Sequence, residues 1–264
     1  MIFTRSFRSL ESGRVEHRRT IRRRAASFAA VAVLFVAAFA TACSVQQQVR
    51  PQSDFSAESD LEVVLSDEML AYVLDLSGLL GVEPGEVSPF DLERLAVIMQ
   101  DEPGLELVDA DIPSNERLVM SVSADDLERV FTEGPNRIEG LIEVQESADE
   151  RSIVIELNNE RIQQITELSP VAEESAVDFL LPPERMNEDE YVEYLAWAME
   201  EYEQDTPIED VIRNARIELE VTLPGNVVSV EGGESDGNTV RFTERVVRLL
   251  TVRDMTRWSV TWRQ

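Results

Sequence analysis

The chain has 264 residues, with 24 basic and 52 acidic side chains, so its formal charge is −28 at neutral pH. All the basic residues are arginine, and a charge of this sign argues against nucleic acid or an anionic membrane as the electrostatic partner of the whole protein. A single cysteine excludes an internal disulfide, a cysteine-rich zinc site and a CxxC redox pair. The single histidine, His17, leaves little scope for imidazole chemistry.

The first 42 residues have the pattern of an export signal. Residues 1–24 carry eight arginines against two glutamates, and the 18 residues from Ala25 to Ala42 carry no charge. The segment closes with Ala40-Thr41-Ala42-Cys43. A basic region, an apolar region and small residues before a cut site are typical of a secretory signal peptide.

The position of the cysteine makes this signal resemble the lipobox of bacterial lipoproteins. The resemblance implies a lipid on the Cys43 sulfur, cleavage between Ala42 and Cys43, and a chain held by two or more acyl groups at the extracytoplasmic face of the inner or outer membrane. The alternative is an uncut signal anchor, because 18 apolar residues just span a bilayer. The lipobox is favoured, since the many small residues weaken the span and Cys43 falls where cleavage is expected.

The residues after the signal divide into a predicted tether and one acidic domain. Residues 43–58 are predicted to be a flexible tether, because the stretch from Ser44 to Ser53 is polar and lacks periodicity. Residues 59–264 are predicted to be a single domain. The mature part has 16 arginines against 50 acids, a balance of −34, which is typical of salt-adapted proteins or of a codon bias that replaces lysine.

Strands and helices alternate along this domain. Period-two patterns predict strands, and capping residues before apolar periodicity predict helices. In chain order they are a strand at 61–65, a helix after Ser88-Pro89, a strand at 118–122, a helix after Ser123, a hairpin at 141–157, a longest helix from Asn187 to Gln204 and strands at 217–223 and 258–262. Together they predict an α+β fold in which an antiparallel sheet packs against a few helices.

The C-terminal third carries a specific pattern of strands and turns, IELEVTLPGNVVSVEGGESDGN from Ile217 to Asn238, then TVRF and the closing WSVTW. This pattern resembles the LppM family of bacterial lipoproteins. Upstream, SDLEVVLSDEML matches as an early strand, and RLVMSVSADDLERV and IEVQESADERSIVIELN match the middle of the family, whereas residues 171–210 look like a helical insertion. The resemblance implies a curved antiparallel sheet around an apolar cavity, similar to lipid-binding helix-grip folds, and a lipid or other apolar ligand. From the residues themselves, Pro224 and Gly225 predict a turn, followed by a meander of strands that ends at Trp262.

No enzyme, cofactor or metal site is predicted. The mature chain has no histidine, which removes serine–histidine and cysteine–histidine catalysis, and no carboxylate pair stands out among 50 acids. The loop residues Glu231, Glu234, Asp236 and Asn238 offer oxygens to Ca²⁺, but their spacing is not that of an EF-hand and favours a solvated turn.

The arginines are unevenly placed. Six of the 16 in the mature chain lie in its last 24 residues, opposed there by two acids. Arg241, Arg245 and Arg248 are therefore candidate contacts for an anionic head group, because arginine binds phosphate in a bidentate manner. The alternative, which is favoured, is internal pairing with the acidic face of the helix from Asn187. Trp258 and Trp262 are predicted either to line an apolar pocket or, more simply, to pack in the core.

These observations predict a non-enzymatic cell-envelope lipoprotein that is tethered to a membrane and binds a lipid or other apolar ligand. The alternative is a structural or protein-interaction lipoprotein with a filled core.

Overall fold

The structure is a computed structural model that describes residues 44–54, 56–79, 89–100, 104–126, 138, 140–147, 149–158, 160–162, 164, 182, 186–251 and 254–263. The predicted signal peptide, its cleavage residue Ala42 and the lipidation residue Cys43 lie outside these ranges. The helix predicted after Ser123 lies outside them as well from residue 127 onward, and Ser123 itself belongs to a strand.

Strands are the most numerous elements of the described chain, and short helices connect them. The strands are β1 Ser44–Pro51, β2 Ala57–Val64, β3 Leu105–Ser114, β4 Arg117–Ala124, β5 Ile142–Glu146, β6 Glu150–Leu157, β7 Arg216–Thr222, β8 Asn226–Glu231, β9 Glu234–Asp236, β10 Thr239–Arg245 and β11 Thr256–Arg263. The helices are α1 Asp67–Leu79, α2 Leu92–Gln100, α3 Glu188–Ala198, α4 Ile208–Asn214 and α5 Val246–Thr251, with a 3₁₀ turn at Glu200–Tyr202.

Two sheets form the framework. The large sheet has seven strands in the order β3-β4-β2-β1-β7-β10-β9, and the small sheet has four in the order β5-β6-β11-β8. Every described pairing is antiparallel except that of β1 with β7, which is parallel. The predicted α+β fold with an antiparallel sheet packed against a few helices is confirmed, and so is the hairpin at 141–157, which is β5 and β6.

The predicted tether is wrong for residues 44–51, which form the central strand of the large sheet. β1 is hydrogen-bonded to β2 on one side and to β7 on the other. Its side chains alternate, so that Val45 and Gln47 face the core while Gln46 and Gln48 face solvent. Glutamines at both kinds of position hide this alternation in the sequence, which is why the stretch looks structureless.

The core is one continuous apolar cluster between the sheets and the helices. Trp262, Tyr191 and Phe242 are its largest fully buried side chains. The rings of Phe242 and Trp258 stack with their centroids 5.5 Å apart, which joins the large sheet to the small one. Core packing, the simpler prediction for Trp258 and Trp262, is therefore confirmed. Burial also raises the pKa of the Tyr191 hydroxyl well above its ordinary value.

The C-terminal third is not a simple meander. After β7 in the large sheet the chain crosses to β8 in the small sheet, returns to the large sheet for β9 and β10, and crosses again to β11. Gly225 permits the first crossing, because a Cβ there would lie 2.1 Å from the carbonyl oxygen of Arg263. The predicted strands at 217–223 and 258–262 exist, but β8 pairs with β11 and has no pairing with β7 among the described residues.

The helices begin where capping residues allow and differ from prediction in extent. Asn187 caps α3 as predicted, in a capping box with Glu190. α3 ends at Ala198 and has 11 residues, whereas α1 has 13. The helix from Asn187 is therefore not the longest, contrary to the prediction. α1 follows directly after β2, because the Ser66 hydroxyl accepts a hydrogen bond from the Met69 amide at 3.1 Å. The strand predicted at 61–65 is confirmed as the end of β2, whereas the last residues of the family-like segment SDLEVVLSDEML form the start of α1.

The helix predicted after Ser88-Pro89 begins later than expected. α2 starts at Leu92, and its first turn closes when the Leu95 amide donates to the Asp91 carbonyl oxygen at 2.9 Å. Pro89 and the buried Phe90 precede the helix, whereas Ser88 lies outside the described residues. The fixed φ of a proline fits the residue before a helix as well as its first turn, so the motif places the start only approximately.

Candidate head-group site at the basal end of the sheet

Three arginines lie at the end of the large sheet where β1 begins, which we call the basal end. Ser44, the first residue of β1, is in register with Val64 on one side and with Arg216 on the other. Arg216 is in register with Arg245 of β10, and Val64 with Arg117 of β4. Neighbouring strands are about 4.8 Å apart, so Arg216 and Arg245 lie roughly 5 and 10 Å from Ser44 along this edge.

The chain turns at the basal end because helices meet strands there. α4 ends just before β7, and α5 begins directly after β10. The Val246 amide donates to the Ala215 carbonyl oxygen at 3.0 Å, which fixes the start of α5 beside the start of β7. Arg213, Arg216, Arg245 and Arg248, which these four elements carry, thereby lie at one end of the large sheet.

Most of these arginines are paired with acids. Arg245 forms a two-pronged ion pair with Glu188 at the start of α3. Arg213 of α4 lies 2.8 Å from Asp189 and 3.9 Å from Glu188. These pairs tie α3 and α4 to the sheet, but their side chains are partly exposed, so each stabilises the fold by about 1 kcal/mol at most.

Arg216 differs from these. Its Nε atom donates to the Asn214 carbonyl oxygen at 3.2 Å, and its side chain is exposed. It makes no ion pair with any residue that the structure describes, unlike the ten other arginines whose side chains are described. Most of its guanidinium donors thus remain available to a ligand.

An open groove of about 460 Å³ adjoins the paired arginines. It is lined by Asn187, Glu188, Arg248, Thr251, Asp254, Met255 and Thr256. Arg248 lies 3.2 Å from Glu244, one turn earlier, and more than half of its side chain is exposed. Met255 is 51% exposed. The groove therefore offers one cation and one apolar side chain beside two carboxylates.

The structure brings two of the three predicted head-group contacts to this end. Arg245 and Arg248 lie at the basal end and its groove. Arg241 lies four residues earlier on β10, about 13 Å away along the strand. It bridges Glu218 at 2.9 Å and Glu220 at 2.7 Å, and the hydrogen bond to Glu220 raises its pKa.

The alternative prediction, pairing with the acidic face of the helix from Asn187, is correct for Arg245 and wrong for the other described C-terminal arginines, which pair elsewhere. Arg245 alone among Arg241, Arg245, Arg248, Arg257 and Arg263 pairs with the helix from Asn187. The others meet acids of strands, such as Glu156 on β6, which lies 2.8 Å from Arg257. Arg241, Arg257 and Arg263 each have a carboxylate directly opposite on a neighbouring strand, so pairs across strands are favoured over pairs with the helix.

The loop oxygens considered for Ca²⁺ are directed elsewhere. Glu231 pairs with Arg257 at 3.3 Å, and the Asn238 amide donates to the Leu223 carbonyl oxygen at 2.8 Å. Glu234 is in register with Arg241. Within the described ranges, no three acidic, histidine or cysteine side chains converge in a geometry that holds a metal.

Sequence reasoning missed Arg213 and Arg216. Both precede the arginine-rich C-terminal segment, so the frequency of arginine along the sequence does not single them out. What makes Arg216 distinctive is the parallel pairing of β1 with β7, which joins residues 172 positions apart, from Ser44 to Arg216. Local periodicity carries no information about such a pairing.

The comparisons with known proteins include a distant structural likeness. No family model matches the chain, and no curated protein matches it. The NMR structure of the folded domain of LppM from Mycobacterium tuberculosis is similar with a TM-score of 0.40 and 10% identity, covering 83% of this chain and 88% of that domain. Membership of the LppM family stays a prediction. Among the described residues, no helix combines the length and the apolar character needed to cross a membrane.

Proposed function

We propose that this protein is a non-enzymatic cell-envelope lipoprotein, held at the extracytoplasmic face of a bacterial membrane by a lipid on Cys43. The observation that carries the proposal is the charge-free run from Ala25 to Ala42 that closes on the sole cysteine of the chain. β1 begins at Ser44, the residue that follows the proposed lipid carrier.

We further propose that the groove at the basal end binds a lipid or similar amphipathic ligand. Arg248 supplies a cation for a head group, and the exposed Met255 supplies an adaptable apolar surface for the start of a chain. The packed core of Trp262, Tyr191 and Phe242 favours this groove over a cavity between the sheets as the place of binding.

Binding without chemistry follows from the side chains available. Residues 43–264 contain no histidine, and their single cysteine is the proposed lipid carrier. The acids of the groove are shared with arginines or face solvent, an arrangement suited to holding a charge rather than to moving a proton.

A structural or protein-interaction lipoprotein is the second candidate. The observation that favours it is Trp197, which is 73% exposed on α3. Large exposed aromatic side chains are enriched in protein interfaces, where they bury much area at low entropic cost.

Lipidation is tested with Cys43→Ser in the full chain. The variant should accumulate as uncleaved precursor and take up no radioactive palmitate, whereas the unaltered chain is shortened and labelled. Equal labelling of both proteins would remove the anchor from the proposal.

Ligand binding is tested on the purified mature chain by organic extraction and native mass spectrometry. The unaltered protein should release a lipid, and Met255→Glu should retain much less, because a charge then occupies the apolar side of the groove. Val228→Glu is the matched control, since Val228 is a similarly exposed apolar residue on β8 that does not line the groove. A chain that extracts empty would favour the protein-interaction candidate, and equal loss in both variants would move the ligand away from this groove.

A further inference from the structure

We infer that the basal end of the large sheet rests directly on the membrane that holds the anchor, and that Arg216 binds the phosphate groups of the anionic lipids around it. The inference rests on the proposed lipid at Cys43. It goes beyond anchoring, because it states which surface of the domain faces the bilayer and which side chain contacts the surrounding lipids.

The first step is the absence of slack between the proposed anchor and the described fold. β1 is paired on both sides from Ser44 onward. Consecutive Cα atoms are 3.8 Å apart, and no spacer residue separates Cys43 from Ser44, the first residue of β1. A domain on a long tether samples many orientations, whereas one joined at the end of a central strand keeps that end at the membrane surface.

The second step is the distribution of charge. The mature chain has a balance of −34 and is repelled by anionic lipids as a whole. On the β7–β10 half of the basal end, however, Arg213, Arg245 and Arg248 are matched by Glu188, Asp189 and Glu244. Arg216 has no described acid as its partner. The ion pairs at this half of the edge are thus balanced, whereas the body as a whole is strongly acidic.

Acids at the opposite end of the sheet are too far from the membrane to repel its anionic lipids. β1 has eight residues, which span about 23 Å at roughly 3.3 Å per residue. That length is nearly three Debye lengths of about 8 Å at physiological salt, so an exposed acid at the far end, such as Asp236, hardly senses the lipid charge. Acids nearer the edge, Asp67 and Glu116, lie toward the β2–β4 half, and this favours contact through the β7–β10 half.

The third step is the availability of Arg216. Its Cα atom lies one strand spacing from the residue that follows the anchor, and no described acid occupies its guanidinium. A guanidinium binds a phosphate through two parallel hydrogen bonds, which a carboxylate partner otherwise uses up. Arg213 and Arg245 have such partners and Arg248 faces the groove, so the contact with the surrounding lipids falls to Arg216.

Arginine footprinting on vesicles tests this arrangement. The mature chain from Cys43 is coupled through its only cysteine to a maleimide lipid in phosphatidylcholine vesicles with and without phosphatidylglycerol, and modification by phenylglyoxal is quantified by mass spectrometry. One arginine near an anionic surface contributes about 1 kcal/mol, so we expect modification of Arg216 to fall about fivefold when phosphatidylglycerol is present. Arg241 is the control and should be modified equally on both vesicles. Equal modification of Arg216, or protection of Arg241 as well, would overturn the inference.

A variant with an added tether tests the role of the direct junction. A Gly/Ser segment of about 20 residues between Cys43 and Ser44 spans roughly 25 Å and leaves every described residue unchanged. Protection of Arg216 should then be lost, and protection that persists would refute docking by a short anchor. Because the lipid is attached chemically, these outcomes do not depend on lipidation in the cell. Failed palmitate labelling would refute the proposed anchor, whereas a failed footprint would refute the docked orientation alone.

Discussion

Gln47 is a polar side chain inside an apolar core. It is 3% exposed and lies in register between Leu61 and Leu219 in the middle of the large sheet. Its Nε2 atom donates to the Ser59 hydroxyl, whereas its Oε1 atom has no partner among the described residues. A buried acceptor without a partner costs about 1–3 kcal/mol, so this pair reduces the stability of the central strand.

Ser59→Ala should lower the free energy of unfolding by about 1–3 kcal/mol, because it leaves the Gln47 amide without its partner as well. Adding Gln47→Leu should restore or exceed the original stability, since both polar groups are then replaced by apolar ones. Urea unfolding of the two single variants and the double variant measures this. Losses that simply add in the double variant would contradict the predicted coupling.

Asp60 makes stability depend on pH. The Ser121 hydroxyl and Arg50 donate hydrogen bonds to its carboxylate at 2.7 and 2.5 Å, which lowers its pKa below the ordinary value. A lowered pKa in the folded state stabilises the fold above the unfolded pKa of about 3.9, and this stability is lost as the pH falls through the folded pKa.

Asp60→Asn should therefore destabilise the protein more at pH 7 than at about pH 3, because the contribution of the charge falls below the unfolded pKa of about 3.9. The side chain is 46% exposed, so screening by solvent keeps the loss below about 1 kcal/mol. Chemical unfolding at both pH values provides the measurement. The same loss at both would show that the carboxylate charge makes no contribution.

At the scale of elements, β1 is a structural part of the domain. Removing it leaves two edges, on β2 and on β7, with unpaired backbone groups and uncovers the core beneath Val45. A chain that begins at Ser53 should therefore lose cooperative unfolding and aggregate, whereas one that begins at Ser44 should fold. Calorimetry and size-exclusion chromatography of the two chains compare them. A well-folded short chain would mean that β1 is dispensable.

The tight turn between β8 and β9 depends on Gly232. It has a φ of +76°, and a Cβ would lie 2.5 Å from the Arg257 carbonyl oxygen and 2.9 Å from Cδ1 of Trp258. Gly237 has a similar φ of +63° with open space around it. Gly237→Ala should cost about 1 kcal/mol of backbone strain, and Gly232→Ala about 1–3 kcal/mol more because backbone must move. Similar losses in urea unfolding would show that the close approach has no energetic consequence.

The elements that local sequence predicts well are those whose side chains alternate clearly. Ile217, Leu219 and Val221 are all buried on β7, and Trp258, Val260 and Trp262 on β11. Residues such as Gln47 break this pattern, because a strand paired on both sides can bury a polar side chain and still satisfy its backbone. α1 was predictable in principle, since Ser66 and the acids Asp67 and Glu68 form a helix start that the preceding apolar run conceals.

The candidate site was predictable only in part. Charge counting along the chain located Arg245 and Arg248, because both lie in a segment rich in arginine. It also grouped Arg241 with them, although a strand carries residues four positions apart to separate neighbourhoods. The contribution of Arg216 depends on which strands become neighbours, and that is decided by the core as a whole.

For the whole molecule, the excess of acids predicts stabilisation by salt. The mature balance of −34 produces self-repulsion, which weakens as the Debye length falls from about 10 Å at 0.1 M to about 3 Å at 1 M. Exposed ion pairs weaken too, but each contributes only about 0–1 kcal/mol. The unfolding temperature should therefore rise with sodium chloride between these concentrations. A fall would mean that the arginine–acid pairs outweigh the repulsion.

The parallel pairing of β1 with β7 also constrains the order of biogenesis. If the chain is exported from its N-terminus as proposed, Ser44 is delivered 172 residues before Arg216, so one edge of β1 stays unpaired until β7 follows. Processing at Cys43 would then precede the pairing of the central strand with its second neighbour. Pulse–chase with external protease should show nascent chains remaining sensitive until β7 is exported, and becoming resistant together with it.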